Sequence, residues 1–118
     1  MIHLIIEGDP IPAMRPRFNR VCYQPKRNRE YRQEVEQSAQ ILMRGREPLV
    51  GALSVVVKLY RRYEPTSRMY GDVDNHLKAL FDGMNQLVFK DDAQIVRCVV
   101  EKYQDKIKPR AEVFVTEL

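Results

Sequence analysis

The residues that could do chemistry cluster in one short stretch, Tyr70-Gly71-Asp72-Val73-Asp74-Asn75-His76-Leu77-Lys78, with a second acidic pair at Asp91-Asp92. In an extended lead-in, residues two apart project to the same side, so Asp72 and Asp74 are predicted to point together while Val73 turns to the core. If Asp74 opens a helix, Lys78 stands one turn later on the same face. One of Asp91 and Asp92 could close the group from the far end of that helix, provided the next strand packs alongside. Clustered carboxylates suit Mg²⁺, a hard cation that prefers oxygen ligands and water, and they leave positions open for a phosphate oxygen and an attacking water. Phosphodiester hydrolysis needs those parts. A lysine could orient the nucleophile or stabilise added negative charge, and Asn75 could hold a carboxylate in place. The alternative role is local: aspartates are favoured at helix N-termini, and Asp72 or Asp74 could simply cap the helix and complement its dipole. Capping does not account for acids at both ends of one helix, since paired carboxylates repel unless a cation lies between them. His76 reads as a partly exposed helix residue, Cys98 as core-facing, and Asp82 as surface charge.

The elements that must position these residues follow from hydrophobic spacing. Ile2 to Glu7 reads as a β-branched strand stopped by Gly8 and Asp9-Pro10. A helix is predicted from about Asn28, as N-cap, to Arg44, with Tyr31, Val35, Ala39, Leu42 and Met43 on its inner face and Gly45 as its stop. Leu53 to Tyr60 alternates as a strand, partly covered on its second face. The strongest periodicity runs from Val73 through Leu77, Leu80, Phe81, Met84, Leu87 and Val88, a second helix. Ile95 to Tyr103 and Arg110 to Thr116 are strands around a turn at 104–109, read as a hairpin. The order β-α-β-α-β-β predicts an α/β (α+β) fold in which a small mixed sheet of about four strands packs with two main helices.

The 118 residues fit one domain, 1–118. Net charge is +4 and the isoelectric point near 9.2, but the asymmetry is greater. Ala13 to Arg32 holds Arg15, Arg17, Arg20, Lys26, Arg27, Arg29 and Arg32 against Glu30 alone. Phe18, Asn19, Tyr23 and Gln24 lie among them, a mixture suited to phosphates and exposed bases. Taken alone, such a run could equally be a solvated arm. A second basic group, Lys58, Arg61, Arg62 and Arg68, precedes the acidic stretch, so positive charge flanks a negative focus. No apolar run approaches the ~20 residues of a membrane span, and Met1 to Pro10 lacks the form of a secretory signal. Cys22 and Cys98 form neither a zinc module nor a disulfide scaffold, which fits a reducing, cytoplasmic setting.

D-V-D-N-H-L-K at 72–78, A-L-F-D-G-M-N at 79–85, K-D-D-A-Q-I-V at 90–96 and the basic opening around P-A-M-R-P-R-F at 12–18 together resemble the RusA-type Holliday junction resolvases, small endonucleases of bacteria and their phages. The family pattern D-x-D-N-x-x-K followed by D-D-x-Q is far more specific than a lone D-x-D. The resemblance implies that Asp72, Asp74 and Asp92 are metal-binding catalytic carboxylates, with Asp92 preferred to Asp91, and that Lys78 is the catalytic lysine. It further implies an Mg²⁺-dependent homodimer that nicks a four-way junction in pairs during recombination and repair; whether Mn²⁺ substitutes is left open by the sequence. His76-Leu77 departs from the expected Leu-then-polar order without moving Lys78. The DNA contacts expected from charge are Arg15, Arg17, Arg20, Lys26, Arg27, Arg29 and Arg68. A four-way junction is two-fold symmetric, so a dimer with one site per subunit would place two symmetric cuts. Two rivals are kept: a less selective flap or fork nuclease, and a nucleic-acid-binding module without catalysis.

Overall fold

The computed structural model describes residues 1–14 and 25–118. Two helices and four strands follow one another as β1 (Ile2–Glu7), α1 (Lys26–Leu42), β2 (Leu53–Arg61), α2 (Val73–Met84), β3 (Ile95–Gln104) and β4 (Arg110–Glu117), with a short 3₁₀ turn at Asp92–Gln94 before β3. This is the predicted mixed α+β arrangement in the predicted order. The four-stranded sheet runs β1-β4-β2-β3.

Alternation sets the two sheet faces. Ile2, Leu4 and Ile6 of β1, Leu53, Val55, Val57 and Leu59 of β2, and Ala111, Val113 and Val115 of β4 are buried. They form one core with Tyr31, Val35 and Ala39 of α1 and Leu80 and Met84 of α2. Each fully buried aliphatic side chain of this kind contributes roughly 1.5–3 kcal/mol. The helices also press on each other at Gly83, where an added Cβ would fall 2.6 Å from Val35 Cγ1. Only glycine admits that approach.

The predicted hairpin of the last two strands is not formed. β3 pairs parallel to β2, whereas β4 pairs antiparallel to β2 on its other side and antiparallel to β1. The connection passes the end of β2, where Asp105 N donates to Arg61 O at 2.8 Å. β4 thereby fills the gap between β1 and β2, which suits a strand whose Ala111, Val113 and Val115 are fully buried. β3 is left as an edge strand, and Cys98, expected in the core, is exposed there.

α1 differs from expectation at both ends, stopping at Leu42 with Met43 as its C-cap, and α2 differs at its C-terminal end. α1 starts at Lys26, because the Pro25 carbonyl accepts from Asn28 N and Arg29 N; the Asn28 side chain donates instead to Pro12 O at 2.8 Å. α2 stops at Met84, since Gln86 takes a positive φ of 71°. Val88 and Phe89 keep the apolar spacing but reach the core from a turn, held by Leu49 N donating to Val88 O at 2.8 Å.

Candidate functional site at the start of the second helix

The lead into α2 is anchored from several sides. Arg61, at the end of β2, is 2% exposed. Its guanidinium forks onto Asp9, Nε to Oδ1 and Nη2 to Oδ2, both at 2.8 Å. It also donates to Tyr70 O at 2.6 Å and Met69 O at 3.3 Å. Arg61 therefore does not belong to the basic surface group assigned from charge; a desolvated guanidinium with a bidentate partner is a structural pin. The Tyr70 hydroxyl donates to the carbonyls of Leu59 or Tyr103, at 2.7 and 2.8 Å.

His76 is also buried, at 1% exposure, rather than partly exposed as expected. Its Nε2 lies 2.7 Å from Tyr70 O. A carbonyl only accepts, so Nε2 carries the proton. Burial lowers its pKa from the ordinary 6.5 to about 4, against the Tyr70 hydrogen bond, with Arg61 and Lys102 adding to the downward shift. The ring is neutral near pH 7. Gly71 completes the bend: it has φ +94°, and an added Cβ would meet Pro12 Cγ at 2.8 Å and His76 Nε2 at 3.0 Å. A side chain there would push Pro12 away and strain the backbone.

This bend presents Asp72 as the N-cap of α2 without using its carboxylate, whose side chain makes no capping hydrogen bond. The carbonyl of Asp72 accepts from His76 N at 3.1 Å instead. Capping therefore explains where Asp72 sits along the helix and not why it carries an acid. Asp74 Oδ1 accepts from Asn75 N at 3.0 Å. Asp72, Asp74 and Lys78 are exposed. The Asn75 carbonyl accepts from Ala13 N at 2.9 Å, so the chain that leads into the basic segment is tied to the first turn of the acidic helix. Of the predicted DNA contacts, Lys26, Arg27, Arg29 and Arg68 are exposed, and Arg15, Arg17 and Arg20 lie outside the described residues.

The second acidic pair is set by a residue to which sequence reasoning assigned no role. Gln94 Oε1 accepts from Asp91 N at 2.9 Å, while its Nε2 donates to Leu49 O at 2.9 Å and Gly51 O at 3.0 Å. The first bond closes the Asp91–Gln94 turn and the other two staple it to the 49–51 segment, which gives D-D-x-Q a physical meaning. Asp92 feels the charges of Asp91, Asp82 and Lys78. Its pKa is raised, first by partial burial and then by the Asp91 and Asp82 carboxylates, with Lys78 acting in the opposite sense. Lys78 Nζ pairs with Asp82 Oδ2 at 3.3 Å, one helical turn on. Asp82, read from sequence as surface charge, is thus part of the group; its i, i+4 spacing from Lys78 was the available signal.

The donor chemistry, several exposed carboxylates with one crowded enough to hold its proton more tightly, suits a hard divalent cation. Among the described residues, however, no three acidic, histidine or cysteine side chains gather closely enough to hold one. Asp72 and Asp74 lie at the start of α2, whereas Asp92 lies in the turn before β3, where the charges of Asp82 and Lys78 reach it. No helix among the described residues is long and apolar enough to cross a membrane.

Over its whole length the chain is similar to the uncharacterized protein YqaN of Bacillus subtilis (strain 168), with 28% identity over 141 residues, covering 99% of this chain and 96% of the relative. The family model for endodeoxyribonuclease RusA matches residues 7–116, from the end of β1 through nearly all of β4, and so takes in the Arg61 pin, the acidic helix start and the Gln94 staple. The chain belongs to the RusA endodeoxyribonuclease family.

Proposed function

We propose that this protein is a divalent-metal-dependent, structure-selective endodeoxyribonuclease that resolves four-way junctions by paired symmetric nicks. One observation carries the reading. The Ala13–Asn75 hydrogen bond brings the entry of the arginine-rich segment to the helix turn that displays Asp72 and Asp74. A polyanion drawn to the basic segment would then lie across the carboxylates and lysine able to attack it.

In this reading Asp72, Asp74 and Asp92 are the candidate ligands, for Mg²⁺ or Mn²⁺. A bound divalent ion would lower the pKa of an attacking water and neutralise phosphate charge. Since the carboxylates do not gather as a preassembled centre, the roles assigned to the protein concern its own groups. Lys78 offers an ammonium to a non-bridging phosphate oxygen or to the nucleophile, and Arg15, Arg17, Arg20, Lys26, Arg27, Arg29 and Arg68 hold flanking phosphates. The unit is a single domain that acts as a homodimer, because two symmetric cuts need two sites related by the two-fold axis of the junction. A cytoplasmic, bacterial or prophage-encoded setting fits this role.

The test is a synthetic four-way junction, a flap, a fork and a matched linear duplex, incubated with the purified protein with and without Mg²⁺ and resolved on denaturing gels. Paired nicks confined to the junction, absent without the metal, are expected. Asp74→Asn should abolish cutting, by at least about 10³-fold, while junction binding in a gel-shift assay persists. Equal cutting of flaps and forks would replace the resolvase with a general branched-DNA nuclease. Binding without cutting in Mg²⁺ and in Mn²⁺ would leave a binding module.

A further inference from the structure

We propose that Asp82 is a positioning residue of the nuclease site, acting through Lys78. This rests on the nuclease reading above and assigns a role to a carboxylate outside the predicted catalytic set. Three observations point to it. Lys78 Nζ lies 3.3 Å from Asp82 Oδ2, an i, i+4 pair along the exposed side of α2. Asp82 is more enclosed than a solvated surface acid, its side chain being 32% exposed against 53% for Lys78. The charges of Asp82 and Lys78 both reach Asp92, and they act on it in opposite senses.

A lysine side chain has a flexible four-carbon stem and no preferred direction of its own. Placed on an exposed helix face it samples many rotamers, and reaction rates fall steeply when a reacting group is displaced by about an ångström. An anchoring carboxylate one turn on removes that freedom, and it does so on the side from which the Gln94 staple delivers Asp92. The anchor must be anionic: an amide of the same shape keeps the packing and loses the charge-assisted hydrogen bond. Asp82 itself need touch neither substrate nor metal.

The experiment compares wild type, Asp82→Asn, Asp82→Glu, Lys78→Ala and the Lys78→Ala/Asp82→Asn pair in single-turnover cleavage of a four-way junction in Mg²⁺, with junction affinity measured separately. Asp82→Asn should lower the cleavage rate on the order of 10²-fold with affinity within about twofold. Asp82→Glu, which retains the ion pair at the same spacing, should recover most of that rate. In the Lys78→Ala background the Asp82→Asn change should have no further effect, because its target is gone. A wild-type rate in Asp82→Asn, or a loss that multiplies with that of Lys78→Ala, would overturn the positioning role while leaving the nuclease reading intact. Failure of the wild type to cut any branched DNA would overturn both.

Discussion

Acidification should loosen this fold through one histidine, and the size of the effect follows from its surroundings. His76 is neutral in the folded chain because burial pushes its pKa from 6.5 to about 4, while in the unfolded chain it titrates at the ordinary value. Below pH 6.5 the unfolded state therefore binds a proton that the folded state refuses. The stabilisation is complete above pH 6.5 and is lost progressively as pH falls toward 4, at up to about 1.4 kcal/mol per pH unit. Between pH 7 and pH 5 the loss attributable to His76 is about 2 kcal/mol. Carboxylates contribute their own slopes, so the informative quantity is the difference between wild type and His76→Gln, which keeps a donor for the Tyr70 carbonyl and cannot titrate. Urea unfolding at pH 7, 6 and 5 should show the variant gaining about 2 kcal/mol on the wild type across that range. A difference that stays constant with pH would refute the claim that the ring is held neutral, and a difference of opposite sign would mean that it is held charged.

Two further outcomes follow from the pins around the site. Arg61→Met should cost about 2 kcal/mol in urea unfolding, because it removes the fork held by the partly exposed Asp9 carboxylate and a donor from Tyr70 O; a loss under 1 kcal/mol would show that water replaces the guanidinium. Gln94→Ala should cost about 1–2 kcal/mol through its three hydrogen bonds and should slow junction cleavage about 10-fold, read against unchanged gel-shift affinity.

The parts of this protein legible in its sequence are those governed by local rules. Alternation in Leu53–Arg61 and the 3.6-residue spacing of Leu77, Leu80, Phe81 and Met84 specify their elements, because burying one face of a strand or helix imposes its own period; Val73, expected to turn to the core, is 44% exposed at the first helical position. The acidic helix start was legible for a related reason: Gly71, Asp72 and Asp74 are consecutive enough for one turn to fix their mutual placement. Spacing alone misled where a turn continued the apolar pattern by other means. Val88 belongs to the core, yet it arrives there after Gln86 has left helical geometry.

Illegible were the relations between segments far apart in the chain, and these are what turn a set of acids into a site. Residues 104–109 look like the loop of a hairpin, since nothing in a short polar connection says whether the strand beyond it returns beside its predecessor or passes one strand over. The outcome is decided elsewhere, by the space between β1 and β2 that Ala111, Val113 and Val115 fill. Because β4 takes that place, β3 pairs with β2 on its other side, and the turn before β3 comes within reach of the 49–51 segment. Only then can Gln94 grip Leu49 and Gly51, and only then do the charges of Lys78 and Asp82 reach Asp92. Charge type was equally blind to depth. Arg61 and Arg62 are adjacent and chemically identical, but the former is buried against Asp9 and Tyr70 while the latter is exposed. Strand alternation distinguishes them once the end of β2 is known, and it assigns the inward arginine to holding the site's backbone and leaves the outward one to the basic surface.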